Sequence, residues 1–548
     1  MSSLDFGSYS RKVSTRVEEA QVLFDKGWNQ MFGFNHEDAV RYFKKVLEVD
    51  SSLAIAHWAI SHCDDLNYNN PEGLNRVEAT KNAAVALELL ENASDVEKSL
   101  IRACYARYPA LKGQDKIASQ PETIAANEIQ YADAMREVYQ KYPHDPDIAA
   151  LFAESLMNLR PWKLWEVGED GKVPAETFEI KKVLETALQE HPLHPGLLHF
   201  YIHLMELSPH PEEALDVANR LRDLTPDQGH LRHMPSHIDM WMGNYEDAIH
   251  ANIEGIEADR RYVESSGIEC EFYKMYRLHN VHFCCWACMF DGQYKNALKY
   301  ARMMQEELTP ELLNSKPGVE ILEAFNCIVW HVFIRFGKWK EILEEPVPED
   351  ENLYTMSIAT AHYARGIAFA SLGKITAAEA EKELFLQALE NPLMPNRLVI
   401  NNFAYKGNEG IFHIARFMLF GEIEYRKGNF TAAFEFLRCA VDFCDNIVYD
   451  EPWGWMIPPR HALGALLLEQ EKFEEAATVY REDLKIHANN LWSIGGLIAC
   501  LKQISDADTK EIQNLQCKLK YISARSDINV SASCFCSMSA GAVAPNKI

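Results

Sequence analysis

The chain is short of cations: 54 Lys and Arg stand against 80 Asp and Glu, a formal net charge of −26. A phosphate-backbone partner wants clustered Lys and Arg, so this balance predicts no nucleic-acid partner. No run of eighteen or more apolar residues occurs, which predicts no membrane span and no membrane partner. The opening residues MSSLDFGSYSRK carry no apolar stretch, so no secretory signal is expected there. The 13 cysteines are odd in number and scattered. They read as reduced thiols in a cytoplasmic protein rather than as a disulfide frame. Also missing are HExxH, Walker A, GxGxxG and GxSxG elements, which removes the familiar hydrolase, nucleotide and dinucleotide signatures.

What is there is apolar and helical. With 47% apolar and 24% charged residues over 548 positions, the chain can bury a large core, as a few domains or one long repeat array. Strand-like alternation is rare. One motif recurs: Gly, any residue, a large apolar residue, two more, then usually Ala. It is found at Gly243–Ala248, Gly292–Ala297, Gly337–Ile342, Gly373–Ala378 and Gly428–Ala433. The Gly is expected to end one helix in a left-handed conformation, and the small residue to sit where the next helix approaches closely. A second spacing runs through the chain. Gly27 precedes Ala39 by twelve, as Gly366 precedes Ala378, Gly421 precedes Ala433 and Gly464 precedes Ala476. A bulky residue often follows four later, at Phe43, Leu437 and Tyr480.

This pattern resembles the tetratricopeptide (TPR) repeat, and it predicts an all-α fold, a superhelix of helix hairpins (an α-solenoid) over residues 17–501. Residues 1–16 form an N-terminal arm, and residues 502–548 a C-terminal helix with a disordered tail. The least repeat-like part is about 100–178. It ends in a Gly- and Pro-containing aromatic loop near 160–178 that holds Trp162 and Trp165 and either packs on the array or covers a site.

Histidine is concentrated. Eleven of the 20 lie between His191 and His282. His199 and His203 are four apart, as are His233 and His237, so each pair shares one side of a helix. With each turn Ala set at repeat position 20, Pro195 and Gly229 open two successive repeats and Leu278 a third. His199, His233 and His282 then take position 5, His203 and His237 position 9, and Glu206 position 12. His230 and His279 take position 2, and His331 and His461 fall at positions 9 and 5 of later repeats. In TPR proteins these positions line the concave groove. The resemblance therefore implies that His199, His203, Glu206, His233, His237 and His282 share one hollow. Imidazoles with a carboxylate at such spacing suit a divalent transition metal, Zn, Fe, Mn or Cu. Pro235, inside the second of these helices, removes a backbone hydrogen bond and predicts a kink or a late start.

The segments GWNQMFGFNHEDA, AHWAI, HFYIHLMELSPHP, GHLRHMPSHI, HNVHF and HYARG are similar to a mostly bacterial TPR group carrying HMPSHI. That resemblance implies a common fold and pocket and adds His36, His57, Trp58, Asn280 and His362 as further candidates.

The leading expectation is a His-rich pocket that binds a metal and acts on a small molecule as a metal-dependent oxidoreductase or hydrolase. His199, His203, His233 and His237 are ligands, Glu206 a further ligand or general base, and His282 a ligand or proton shuttle. The alternative is a scaffold that binds a peptide or protein in the groove without catalysis; in a third reading the cluster only stiffens the array. Oligomeric state is left open. Cys285 and Cys288, with Cys284, read as packing cysteines, and Trp453 and Trp455 as an aromatic turn.

Overall fold

The computed structural model describes residues 4–108, 121–168, 170–267, 272–315 and 318–537. The chain divides into two compact units, Met1–Ile238 with Glu254–Arg277, and Asp239–Ile253 with Leu278–Ile548. Among the described residues nearly all regular structure is α-helix; the strands are the two-residue pair Leu398–Val399 and Asn402–Phe403. The fold class is therefore the expected one, all-α and built of TPR-type helix hairpins. No described helix is long and apolar enough to cross a membrane.

Unit 1 begins with an extended arm, then α1 (Glu18–Phe32), α2 (His36–Val49), α3 (Ala54–Asp64) and α4 (Arg76–Glu88), each packed on the next. Then come α5 (Asp95–Cys104), α6 (Pro121–Lys141), α7 (Pro146–Met157), α8 (Ala175–Glu190) and α9 (Pro195–Glu206). These also stack in sequence, and α9 returns against α1 and α7. The short helices α10 (Leu215–Leu221), α11 (Gly229–His233) and α12 (from Pro235) follow, and Glu254–Arg277 is the unit's last segment. Aromatic packing ties α1 to α3: Trp28 lies 5.9 Å from Trp58, with Phe24 and Phe32 of its own helix at 5.3 and 5.6 Å, all fully buried. Each such side chain contributes roughly 1.5–3 kcal/mol by leaving water.

Helix α9 starts where Pro195 predicts, and a histidine fixes it. His194 Nδ1 accepts the Leu197 N–H at 3.1 Å, capping the helix, while its Nε2 meets Asp147 Oδ1 at 3.1 Å. Asp147 also accepts from Trp28 Nε1 at 2.7 Å and Tyr9 Oη at 2.8 Å, and pairs with Arg11. The arm is thereby tied to α1, α7 and α9. Helix α11 opens at Gly229, a position where an added Cβ would overlap the Asp259 carboxylate. Pro235 has its expected effect: α11 ends at His233 and a separate helix begins at Pro235.

In unit 2, Thr355–Ser371 packs on Ile375–Leu389, Phe412–Arg426 on Phe430–Asp445, and Pro459–Glu469 on Phe473–Ile486. The five motif glycines, Gly243, Gly292, Gly337, Gly373 and Gly428, all have positive φ, between 62° and 83°. The helix-to-helix register is visible in the contacts of absent side chains. A Cβ on Gly27 would stand 2.8 Å from Phe43, one on Gly421 2.8 Å from Leu437, and one on Gly464 2.6 Å from Tyr480. These are the bulky residues the repeat places there.

The structure departs from the sequence reading in several places. The repeat spacing opens the third repeat at Leu278, but its helix runs Tyr273–Asp291. The segment expected to be a disordered tail is in part seated: Ser533 Oγ donates to His461 O at 2.7 Å and Phe535 packs on Trp492. Cys534 and Cys536 are joined in a disulfide, against the expectation that all cysteines are reduced; ten others are free. The two sulfurs stand two residues apart on one seated segment. Residues 1–3 of the arm, 109–120 of the least repeat-like part, 169 of the aromatic loop, Cys270 and 538–548 of the tail lie outside the described residues.

Candidate metal centre

In unit 1, α9 directs His199, His203 and Glu206 inward, α11 directs His230 and His233, and α12 directs His237. All six are buried, at 0–2% exposure. They do not line an open groove, as the repeat positions imply, because the neighbouring elements close over them. The rings form a continuous set. Centroids are 4.8 Å apart for His199 and His203, 4.9 Å for His199 and His230, 5.9 Å for His203 and His237, and 4.7 Å for His233 and His237.

The hydrogen bonds define the protonation pattern. His199 Nδ1 donates to Phe32 O at 2.7 Å, which leaves a lone pair on Nε2. That Nε2 faces His230 Nε2 at 3.1 Å. His203 Nδ1 donates to Glu206 Oε1 at 2.7 Å, and its buried Nε2 has no hydrogen-bond partner among the described residues. His237 Nδ1 donates to the other oxygen, Glu206 Oε2, so one carboxylate holds two rings. His237 Nε2 then carries a lone pair, which faces His233 Nε2 at 2.7 Å. Ligand atoms of His199, His203 and His230 all lie within 4.8 Å of one another.

Burial pushes the His203 imidazole down to about 3. Burial, with His203 alongside, holds His199 well below its ordinary value. Both rings are therefore neutral donors of lone pairs at physiological pH.

Around them stands a layer the sequence reading missed. Phe34 has φ 55°; its ring meets His199 edge to face at 4.6 Å and stacks on His203 at 6.0 Å and His230 at 5.9 Å. A left-handed backbone at a non-glycine residue costs about 1 kcal/mol or more and is held by its surroundings. The signal was available: Phe34–Ala39 (FNHEDA) aligns with Gly243–Ala248 (GNYEDA), so Phe stands where the motif has Gly. Tyr68 lies 5.2 Å from His203, and Tyr276 4.7 Å from His230. His36, a weaker candidate, takes a hydrogen bond from Asn67 Nδ2 at 3.2 Å; burial and then His62 lower its pKa to about 4. His62, not singled out from sequence, pairs with Glu154 at 3.2 Å. Burial alone would raise that carboxyl, but His62 and His36 hold it below its usual range.

Other candidates lie elsewhere. His282 belongs to unit 2, where burial and then His279 hold its imidazole well below the ordinary value and its ring lies 5.1 Å from Phe325. Asn280 is also in unit 2. His57 meets Asn82 at 2.9 Å, His362 meets Glu381 at 2.7 Å, and Trp58 stacks on His62. His461 is held between Arg335, which donates to its Nδ1 at 2.9 Å, and Asp483 at 2.9 Å. His331 and Trp455 pack edge to face at 4.8 Å. Cys284 and Cys285 are fully buried with thiols pushed well up, as packing cysteines should be, and Cys288 is buried with them.

No family model matches the chain, and no curated protein matches it. Solved structures do. A human IFIT1 dimer with m7Gppp-AAAA matches at 12% identity, covering 87% of this chain and 90% of that one, with a TM-score of 0.32. Human IFIT1 with PPP-AAAA matches at 13% identity over 90% and 93%, with a TM-score of 0.32. A monomeric IFIT1 mutant with m7Gppp-AAAA matches at 12% identity over 86% and 90%, at 0.33. The exclusion of a nucleic-acid partner on net charge is withdrawn, since the matched proteins hold capped and triphosphorylated oligoadenylate. Whole-chain charge does not report the charge of a local cleft. At this overlap the likeness transfers no ligand to this chain.

Proposed function

We propose that unit 1 carries a buried transition-metal centre, with His199, His203 and His230 as its imidazole donors and Glu206 as the group that orients them. The observation behind this reading is the outer partner of two of the three rings, His199 and His203. Phe32 O and Glu206 fix the Nδ1 protons of His199 and His203, which turns the Nε2 lone pairs inward. Metal-ligating histidines almost always have their second nitrogen held in this way. Without an ion, His203 Nε2 is a buried acceptor with no donor among the described residues, at a cost of roughly 1–3 kcal/mol.

Three imidazole nitrogens would suit a Zn-like ion and leave a further position for an exchangeable group, as catalytic rather than structural sites do. His233 and His237 offer a second pair of facing nitrogens across the same Glu206. His230 thus joins the expected ligand set, and Glu206 takes an orienting role because both its oxygens accept imidazole N–H groups. His282 is not needed for this centre. Peptide binding on these side chains is disfavoured by their burial, and a small-molecule reaction at the centre, hydrolytic or oxidative, is the function proposed.

Elemental analysis of the full chain purified without chelators tests this. One or two ions per chain, lost in His199→Ala and His203→Ala variants that keep native far-ultraviolet dichroism, is the expected result. Metal-free protein that also fails to take up zinc, cobalt, iron, manganese or copper would overturn it.

A further inference from the structure

Beyond the helix Thr509–Ser523 the chain runs back across unit 2 without helix or strand. Arg525 pairs with Asp291 at 2.7 Å, and Asp527 accepts the Tyr294 and Lys295 N–H groups at 2.8 and 2.9 Å. Residues 533–537 then settle among side chains from several helices. The Ser533 carbonyl accepts from Arg335 Nη2 at 3.3 Å, and the Cys536 carbonyl from Arg426. Ser533 Oγ accepts from Tyr480 Oη at 2.7 Å and donates to His461 O, while Ser537 Oγ donates to Glu469 Oε2 at 2.9 Å. Phe535 meets Trp492 edge to face at 6.1 Å and lies over Gly337, where an added Cβ would stand 2.5 Å from it. Ser533, Cys536 and Ser537 are buried; Cys534 and Phe535 are partly exposed.

These contacts are of the kind that hold a peptide: main-chain carbonyls on fixed donors, hydroxyls, and one aromatic side chain in a slot. The seat is also built for an occupant. Arg335 is 5% exposed and pairs with no carboxylate among the described residues. Its guanidinium lies 3.5 Å from the Trp492 ring centroid and donates to His461 Nδ1 and to the Ser533 carbonyl. An unpaired buried cation is costly, so the carbonyl that the tail brings completes the seat. The tail itself is weakly held, since Phe535 is the one large apolar side chain between Ser531 and Ser537. In the middle of it the Cys534–Cys536 disulfide closes a three-residue loop, and both cysteines border a cavity of only about 30 Å³.

We infer that this groove in unit 2 is a peptide-binding site occupied by the chain's own segment Ser533–Ser537, and that reduction of the Cys534–Cys536 disulfide opens it. A dithiol reductant attacks, as a thiolate, at Cys534 Sγ, the partly exposed sulfur. The S–S bond breaks, and Cys536 leaves as a thiolate that takes a proton. The reductant's second thiolate attacks the mixed disulfide and frees Cys534, which is protonated in turn. Two cysteine thiols and one reductant disulfide are the products. Two thiols need more room than a disulfide, and the cavity beside them offers little. Opening the three-residue loop also gives the released segment more freedom, which lowers the seated fraction by about tenfold. The inference concerns unit 2 alone and is independent of the metal reading.

The test treats the full chain with dithiothreitol and then iodoacetamide, with far-ultraviolet dichroism to confirm the fold and mass spectrometry to follow alkylation. Cys534 and Cys536 are expected to react within about threefold of each other and of the exposed Cys517. Cys536 reacting at least about tenfold more slowly than Cys534 would mean that the reduced tail keeps its seat, and overturns the proposal. The alkylated chain, its exposed thiols blocked, is then titrated by fluorescence anisotropy with a labelled, disulfide-closed peptide of sequence Ser531–Ser537. Saturable binding at one site is expected. The unreduced chain, also treated with iodoacetamide, should bind this peptide at least about tenfold more weakly, because a tethered competitor acts at millimolar effective concentration. The peptide carrying Phe535→Ala should bind neither form. Equal binding to the reduced and unreduced chains, or binding to neither, overturns the proposal. Should reduction unfold the chain, Phe535→Ala in the unreduced full chain decides. Loss of the ring should empty the groove and admit the peptide; exclusion as strong as in the native chain overturns the peptide site.

Discussion

Replacing Glu206 with Gln separates an orienting carboxylate from a direct ligand. In the native protein one oxygen accepts His203 Nδ1–H and the other His237 Nδ1–H. A Gln amide has one acceptor and one donor. Its NH2 therefore opposes one of the two N–H groups, and that ring must move its proton to Nε2 or turn away. Where that ring is His203, either change removes a lone pair from the centre. Loss of such an outer partner typically costs about 10–100-fold in metal affinity, or about 1.4–2.8 kcal/mol. The metal-free protein should lose less, because removing a buried charge offsets part of the broken hydrogen bond. The measurement is a competition titration of zinc against a chelator of known affinity near neutral pH, with thermal unfolding of the metal-free protein alongside. Affinity unchanged within about twofold refutes the orienting role, since loss of an outer partner costs more than that. A loss beyond about ten-thousandfold refutes it in the other direction, because that size belongs to a removed ligand.

Further outcomes follow from other parts of the structure. Gly464→Ala places a methyl group 2.6 Å from Tyr480 and should destabilise the chain by about 1–3 kcal/mol in urea denaturation; no measurable loss would remove the close-approach reading of the repeat. Phe34→Gly frees about 1 kcal/mol of backbone strain but deletes a buried ring worth about 3–4 kcal/mol, so net destabilisation of about 2–3 kcal/mol is expected; a rise in stability would show that the ring is not packed on the imidazoles. Burial pushes His461 down to about 4. A base whose folded pKa lies below its unfolded value contributes stability above about pH 6.5, lost as pH falls from there toward 4. His461→Gln should therefore flatten the chain's loss of stability over that window by at most about 3 kcal/mol, seen as melting temperature against pH. An unchanged slope would contradict it.

Much of the fold is legible along the chain because a helix hairpin is a local object. The motif glycines at 243, 292, 337, 373 and 428 have the left-handed backbone that their spacing implies. Phe43, Leu437 and Tyr480 occupy the space left by Gly27, Gly421 and Gly464. Pro195 and Pro235 each begin a helix. The pairing of His203 with Glu206, three residues on along α9, was likewise within reach. The role of His230 was not, because its Nε2 meets that of His199 from a different helix, 31 residues on. Phe34 and Phe32 O reach the same rings from more than 160 residues away.

Sequence alone therefore determined the helices, their turns and the histidine-rich stretch, since these follow from backbone sterics and from side chains one turn apart. Tertiary packing decided which ring nitrogens carry protons, which lone pairs converge and how deeply they are buried. Those properties depend on partners brought in from distant helices, and no local spacing encodes them.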